Sequence, residues 1–136
     1  MNRKEFLLQC GKYCAAGMSL PVLLSSCTAI TYAPFSFQGN KMVVKKSDVA
    51  EHPFVVLRTN SLPAPVYLTQ LEDHSYVALL MECAHKQCEV SPYATVLQCP
   101  CHGSEYSNTG EVLEGPAERN LHRFEVTTDD EHIYIQ

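Results

Sequence analysis

The sequence predicts an all-β domain, an antiparallel β-sandwich or small barrel from whose core strands two loops rich in cysteine and histidine hang. Three observations predict it. Short runs rich in Val, Tyr, Phe, Ile and Thr are punctuated by Gly, Pro, Asn and Asp, the pattern of short strands joined by turns. After the first 26 residues, no stretch keeps apolar residues at helical spacing over three turns. The run SYVALLM (75–81) is apolar at nearly every position, which suits a strand buried on both faces.

In chain order, TYAPFSF stops before Gly39-Asn40, a turn pair, and KMVVKK follows. FVVLRT, VYLTQL and SYVALLM are the next three strands, the last running directly into ECAHKQCEV (82–90). TVLQC feeds the second loop, QCPCHGSEY (98–106). Both loops therefore hang from core strands, as a rigid site requires. EVLEG, LHRFEVTT and HIYIQ complete the set, and TTDDEH, with its charges, reads as a hairpin tip.

The chain has 136 residues, enough for one domain, with 46% hydrophobic and 18% charged residues and no low-complexity run. Its formal charge is -5; without the first 26 residues Lys and Arg fall from 10 to 7 and Asp and Glu from 15 to 14, leaving -7. An acidic domain of this kind is a poor nucleic-acid binder and suits a basic protein partner.

The front end reads as an address. A positive start (Arg3, Lys4) leads into about 11 apolar residues from Cys14 to Leu24, within the ~7–15 of an export signal and short of the ~18 that span a bilayer. Leu24-Ser25-Ser26-Cys27 resembles a bacterial lipobox, and NRKEFLL loosely resembles a twin-arginine signal with Arg3-Lys4 in place of Arg-Arg. The expected organisation is a signal over 1–26, a lipid-anchored Cys27 with the start of the first strand over 27–39, and the folded domain over 40–136. The expected location is the membrane of a bacterial cell envelope, on its extracytoplasmic side. Strand structure would begin within about four residues of Cys27, a reach of about 13 Å, keeping the domain near the membrane. Such a compartment is oxidising, so a disulfide can persist.

Of seven cysteines, Cys10 and Cys14 then leave with the signal and Cys27 takes the lipid. Cys83, Cys88, Cys99 and Cys101 remain, all in the two loops. Structural zinc uses knuckles with two to four residues between cysteines; a knuckle could be forced here, but the spacing fits poorly. Ligands one residue apart in an extended loop point the same way, so Cys83 and His85 can converge on one centre, and Cys99 and His102 can do likewise around a turn. Cys88 and Cys101 are then spare, one in each loop.

C-A-H-K-Q-C followed by C-P-C-H-G-S-x-Y resembles the two binding boxes of Rieske [2Fe-2S] proteins, of the disulfide-containing, high-potential kind found in quinol:cytochrome oxidoreductases. The resemblance is close over 83–106. It implies a Rieske-like fold and one [2Fe-2S] cluster, with Cys83 and Cys99 on one iron, His85 and His102 on the other, and Cys88 paired with Cys101. Two imidazoles in place of two thiolates make such a cluster less negative, hence potentials of roughly -150 to +300 mV against about -400 mV for plant-type ferredoxins. Ser104 resembles the family serine that donates to a bridging sulfide, and Tyr106 the tyrosine that donates to the first cysteine ligand. Gly115-Pro116-Ala117 resembles the proline loop that covers the cluster. His52, His74, His122 and His132 have no matching partners and read as surface or strand residues.

The implied activity is one-electron transfer in a membrane-associated respiratory chain, from a quinol-oxidising cytochrome b-like subunit towards a c-type cytochrome, with no substrate site of its own. The alternative is the small electron-transfer subunit of a periplasmic metalloenzyme resembling arsenite oxidase, bound to a large catalytic subunit; a structural zinc or disulfide-only module is more remote. Three departures bear on this choice. Lys86 and Gln87 follow His85 where the family has an apolar residue and glycine, as in C-T-H-L-G-C. Only 13 residues separate His85 from Cys99, fewer than usual. Neither a membrane helix nor a flexible neck is evident in the sequence.

Overall fold

The computed structural model describes residues 29–136, so the export segment and Cys27 lie outside the described residues. Eleven short strands form three antiparallel sheets stacked as a sandwich. The base sheet holds β1 (Ser36–Gln38), β2 (Lys41–Lys45), β11 (His132–Ile135) and β10 (Val126–Thr128) in the order β1-β2-β11-β10. The middle sheet is β3 (Val55–Leu57), β4 (Val66–Gln70) and β5 (Tyr76–Leu80). The outer sheet is β6 (Ser91–Tyr93), β7 (Val96–Gln98), β8 (Glu105–Tyr106) and β9 (Val112–Glu114). One 3₁₀ turn, Lys46–Asp48, is the only helical element among the described residues.

The middle sheet explains why its strands read as unbroken apolar runs. Successive side chains on a strand point to opposite faces, and here each face has its own core. Val55, Leu57, Val66, Leu68 and Ala78 pack with Met42, Val44, Ile133 and Ile135 of the base. Val56, Tyr67, Val77, Leu79 and Met81 pack with Leu97, Tyr106, Cys83 and Cys99 on the other side. Each fully buried Val, Leu or Ile contributes roughly 1.5–3 kcal/mol over its exposed state, so a one-residue register slip would exchange the two cores and lose both. The two-face burial expected of SYVALLM is observed. TVLQC differs, since only Leu97 in β7 is fully buried.

One other expectation is refined, two strands are added and one expectation is met. TYAPFSF is interrupted: Tyr32 bridges in parallel to Val56, and regular pairing resumes at Ser36 after Pro34, which has no N–H to donate. Strands β6 and β8 carry no sequence signal, because one has Pro92 at its centre and the other is two residues long. The hairpin tip at TTDDEH is as expected: Asp129 accepts from the backbone N–H of Glu131 and of His132 and from the Tyr134 hydroxyl. Those three bonds hold its carboxyl down at about 2, the Tyr134 bond contributing most.

The outer sheet and both loops are an insertion between β5 of the middle sheet and β10 of the base. Chain leaves β5 at Leu80 and returns at His122, where the Leu80 N–H donates to the His122 carbonyl at 2.9 Å and Leu79 bridges to Arg123. The insertion is seated by a turn at Ser107–Gly110, closed by the Gly110 N–H on the Ser107 carbonyl and by Ser107 Oγ accepting from Thr109 and Glu111. Gly110 has φ +90°, and a Cβ there would lie 2.8 Å from Cδ2 of Leu79, a fully buried side chain. Gly110→Ala should therefore cost roughly 2–5 kcal/mol, backbone strain and overpacking together. Chemical denaturation of the two proteins measures it.

Candidate metal centre

Both loops are closed by the same pair of backbone hydrogen bonds. In the first, the Cys83 N–H donates to the Cys88 carbonyl at 2.8 Å and the Gln87 N–H to the Cys83 carbonyl at 2.9 Å. In the second, the Cys99 N–H donates to the Ser104 carbonyl at 2.8 Å and the Gly103 N–H to the Cys99 carbonyl at 3.0 Å. Each opening cysteine is thus gripped by the residues four and five places on. The fourth place has a positive φ in both loops, 60° at Gln87 and 81° at Gly103. Glycine adopts it freely; for other L-residues it costs roughly 1–2 kcal/mol.

The loops are locked together by a disulfide between Cys88 and Cys101, with Cα atoms 6.5 Å apart, within the usual span for a bridge. Cys83 and Cys99 remain free thiols, each only 1% exposed. The sulfurs of Cys88, Cys99 and Cys101 lie within 4.8 Å of one another, but the bridge consumes two of them, so that trio is no metal site. Beside the thiols, the His85 and His102 rings meet edge to face with centroids 4.8 Å apart. His102 is exposed, and His85 is half-buried with Nδ1 buried and without a partner. Glu89, next to Cys88, receives Arg58 through two contacts of 2.7 and 3.4 Å, while the same guanidinium sits 5.9 Å from the Tyr32 ring centre. Both side chains are about half exposed, so solvent screens the pair and it contributes little.

The electrostatics favour charge on sulfur. Burial pushes the Cys83 thiol up, but the Tyr106 hydroxyl, the His85 amide, the Cys99 thiol and the Lys86 amide together outweigh it, and the thiol is lowered. Tyr106 is pushed up to about 12, by burial first and by its bond to Cys83 second. Its hydroxyl lies 3.3 Å from Cys83 Sγ and accepts from the Ala84 N–H at 3.1 Å. With Cys83 drawn towards thiolate, the Tyr106 hydroxyl is the donor in that pair. Tyr106 both lies in a strand and touches the cysteine.

Ser104 is fully buried, and its Oγ accepts from the Ala117 N–H at 3.0 Å. No acceptor among the described residues takes the Ser104 proton, which leaves it for whatever sits between the loops. Ala117 packs in the same core as Cys83 and Cys99, so the Gly115-Pro116-Ala117 turn is fastened to the second loop. His52, His74 and His122 are exposed and His132 lies in β11. The sequence revealed the side chains; it gave no sign of the Ala84 and Ala117 amides, whose role depends on backbone position alone.

The donor set divides by chemistry into two buried thiols, one of them drawn towards thiolate, and two imidazoles at the rim. A group with one thiolate-preferring and one imidazole-preferring iron fits that division, and the orphaned His85 Nδ1 is the kind of buried atom that requires a partner. The fold and the loops define a disulfide-locked iron–sulfur domain. The Rieske [2Fe-2S] domain model matches residues 36–125, and the chain belongs to that family, whose members carry a Rieske [2Fe-2S] cluster. It is 39% identical over 75 residues to cytochrome b6-f complex iron-sulfur subunit 2 of Nostoc sp. (strain PCC 7120 / SAG 25.82 / UTEX 2576), a stretch covering 52% of this chain and 42% of that one. The chain thus matches about four tenths of that relative's length. Among solved structures it resembles the cyanobacterial plasma membrane Rieske protein PetC3 from Synechocystis PCC 6803, with TM-score 0.58 and 26% identity over 68% of this chain and 94% of that one. It shares the fold of a chain of hyperthermophilic respiratory Complex III, with TM-score 0.54 and 22% identity over 96% and 92%.

Gln87 stands where the family pattern has glycine, and its φ explains that glycine. Gln87→Gly should relieve the backbone strain and, after glycine's own entropic cost, gain up to about 1 kcal/mol. That is a rise of up to roughly 5 °C in Tm by calorimetry.

Proposed function

We propose that this protein is a one-electron carrier in a membrane-associated respiratory chain, receiving electrons from a quinol-oxidising cytochrome b-like partner and passing them to a c-type cytochrome. The observation that carries the reading is the pairing of two buried free thiols with two edge-to-face imidazoles, held by one interloop disulfide. Cys83 and Cys99 would hold one iron and His85 and His102 the other. When bound, the cluster supplies a centre that gains and loses one electron without making or breaking a bond at a substrate.

The chain's own residues set the terms. Tyr106 aims its proton at Cys83 Sγ, and Ser104 keeps its proton free towards the space between the loops. Each donor favours the more negative, reduced state. Burial of both thiols excludes water, while His102 at the surface gives a partner its short path. The Gly115-Pro116 turn covers the site, held by Ala117. Residues 1–26 would direct export and Cys27 would carry the lipid that keeps the domain extracytoplasmic and at the membrane, with the cluster-bearing domain starting ahead of residue 40, because β1 pairs with β2 and Ala33 lies in the core.

Lys86 is exposed beside His85, where the family pattern has an apolar residue, and this favours a second reading: a relay held permanently on the large catalytic subunit of a periplasmic metalloenzyme resembling arsenite oxidase. Purification from membranes separates the two readings, since a stable complex with a large catalytic subunit supports the second and recovery with cytochromes the first.

Iron and acid-labile sulfide should each be found at two per chain, and a dithionite-reduced sample should give an EPR signal; zinc without a signal would overturn the electron-carrier reading. If each sulfur-directed bond is ~1.5–3 kcal/mol stronger in the reduced state, Tyr106→Phe and Ser104→Ala should each lower the potential by about 65–130 mV. Protein-film voltammetry measures both, and unchanged values would remove the tuning role.

A further inference from the structure

The two hydroxyls at the site share an arrangement that side-chain type alone does not require. Tyr106 accepts from the Ala84 N–H at 3.1 Å and faces Cys83 Sγ at 3.3 Å. Ser104, with no exposed surface, accepts from the Ala117 N–H at 3.0 Å, and its own proton has no acceptor among the described residues. In each case a backbone amide occupies one acceptor position of a hydroxyl, which leaves the hydroxyl's own hydrogen for another partner. A hydroxyl that accepts a hydrogen bond is polarised and donates more strongly.

We propose that the Ala117 N–H is a positioning group for the metal centre, acting through Ser104, so that the turn over the site sets the reduction potential as well as covering it. This rests on the electron-carrier reading. Ala84 and Ala117 contribute amides from different segments, one inside the first loop and one on the Gly115-Pro116-Ala117 turn. Ala84 is held within a loop closed by two hydrogen bonds and the disulfide. Ala117 follows two exposed residues. A partner that presses on Gly115 and Pro116 therefore acts on the Ser104 bond, and through it on the affinity for the electron.

The test is a double-mutant cycle in the full-length, cluster-loaded protein, read as reduction potential by voltammetry with EPR confirming the cluster in every variant. Ala117→Pro removes the N–H and keeps Ser104. It should lower the potential by about 10–30% of the shift given by Ser104→Ala. In a Ser104→Ala background the same change should have no further effect, and in Ser104→Thr, which keeps a hydroxyl, its effect should return. Equal shifts in the presence and absence of the hydroxyl, or no shift in the unsubstituted background, overturn the proposal. If Ala117→Pro prevents folding, replacing the residue 117 amide with an ester, which removes the N–H without adding a ring, decides by the same criteria. Loss of the EPR signal from the unsubstituted protein would instead overturn the electron-carrier reading, and this inference with it.

Discussion

The site depends on the bridge between Cys88 and Cys101. Each loop is internally closed by two backbone hydrogen bonds, which orients its own cysteine and histidine, and the non-covalent ties between the loops are the Tyr106 hydroxyl on Cys83 and Ala84 and the contact of the two imidazoles. The disulfide adds the one covalent constraint, and it does so at the turns rather than at the strands. Cys83 and Cys99 are then left buried and unpaired on the inner side, with His85 and His102 meeting at the rim. Four cysteines in two loops divide their labour because two of them are spent on geometry, and the other two are thereby kept from pairing with each other.

The same logic of support runs outward through the fold. The loops sit on the outer sheet, the outer sheet on Val56, Tyr67, Val77 and Leu79 of the middle sheet, and the middle sheet on the base. Leu79 has a double role, as a core residue of β5 and as the surface against which the Gly110 turn is seated. Charge contributes little to this scaffold: the Arg58–Glu89 pair is half exposed and tethers the N-terminal segment near the first loop without anchoring it.

Much of this was legible in the sequence, for reasons that can be assigned to residues. Strands with strong alternation or long apolar runs, such as β2, β4, β5 and β11, were readable because burial on one face or both dictates side-chain type. Strands β6 and β8 were not, since Pro92 argues against a strand and two residues carry no period. In the site, the thiols and imidazoles were readable from chemistry and spacing, and the cysteine pairing from resemblance. Gln87 was readable only as a departure from a pattern; its positive φ needed coordinates. The Ala84 and Ala117 amides left no trace, because every residue other than proline carries the same N–H, and only the fold decides which one meets a hydroxyl.

The insertion of residues 81–121 between Leu80 and His122 gives the molecule an unusual modularity. Its two ends are one hydrogen bond apart, 2.9 Å from nitrogen to oxygen, so the segment departs and returns through a single gate in the edge of β5. Past the gate the pairing is resumed, the Phe124 N–H donating to the Ala78 carbonyl, while the segment itself covers Val56, Tyr67, Val77 and Leu79. The inserted half and its pedestal are joined like a cassette to its socket: the chain crosses between them only at that gate, and the buried face of the middle sheet holds them together.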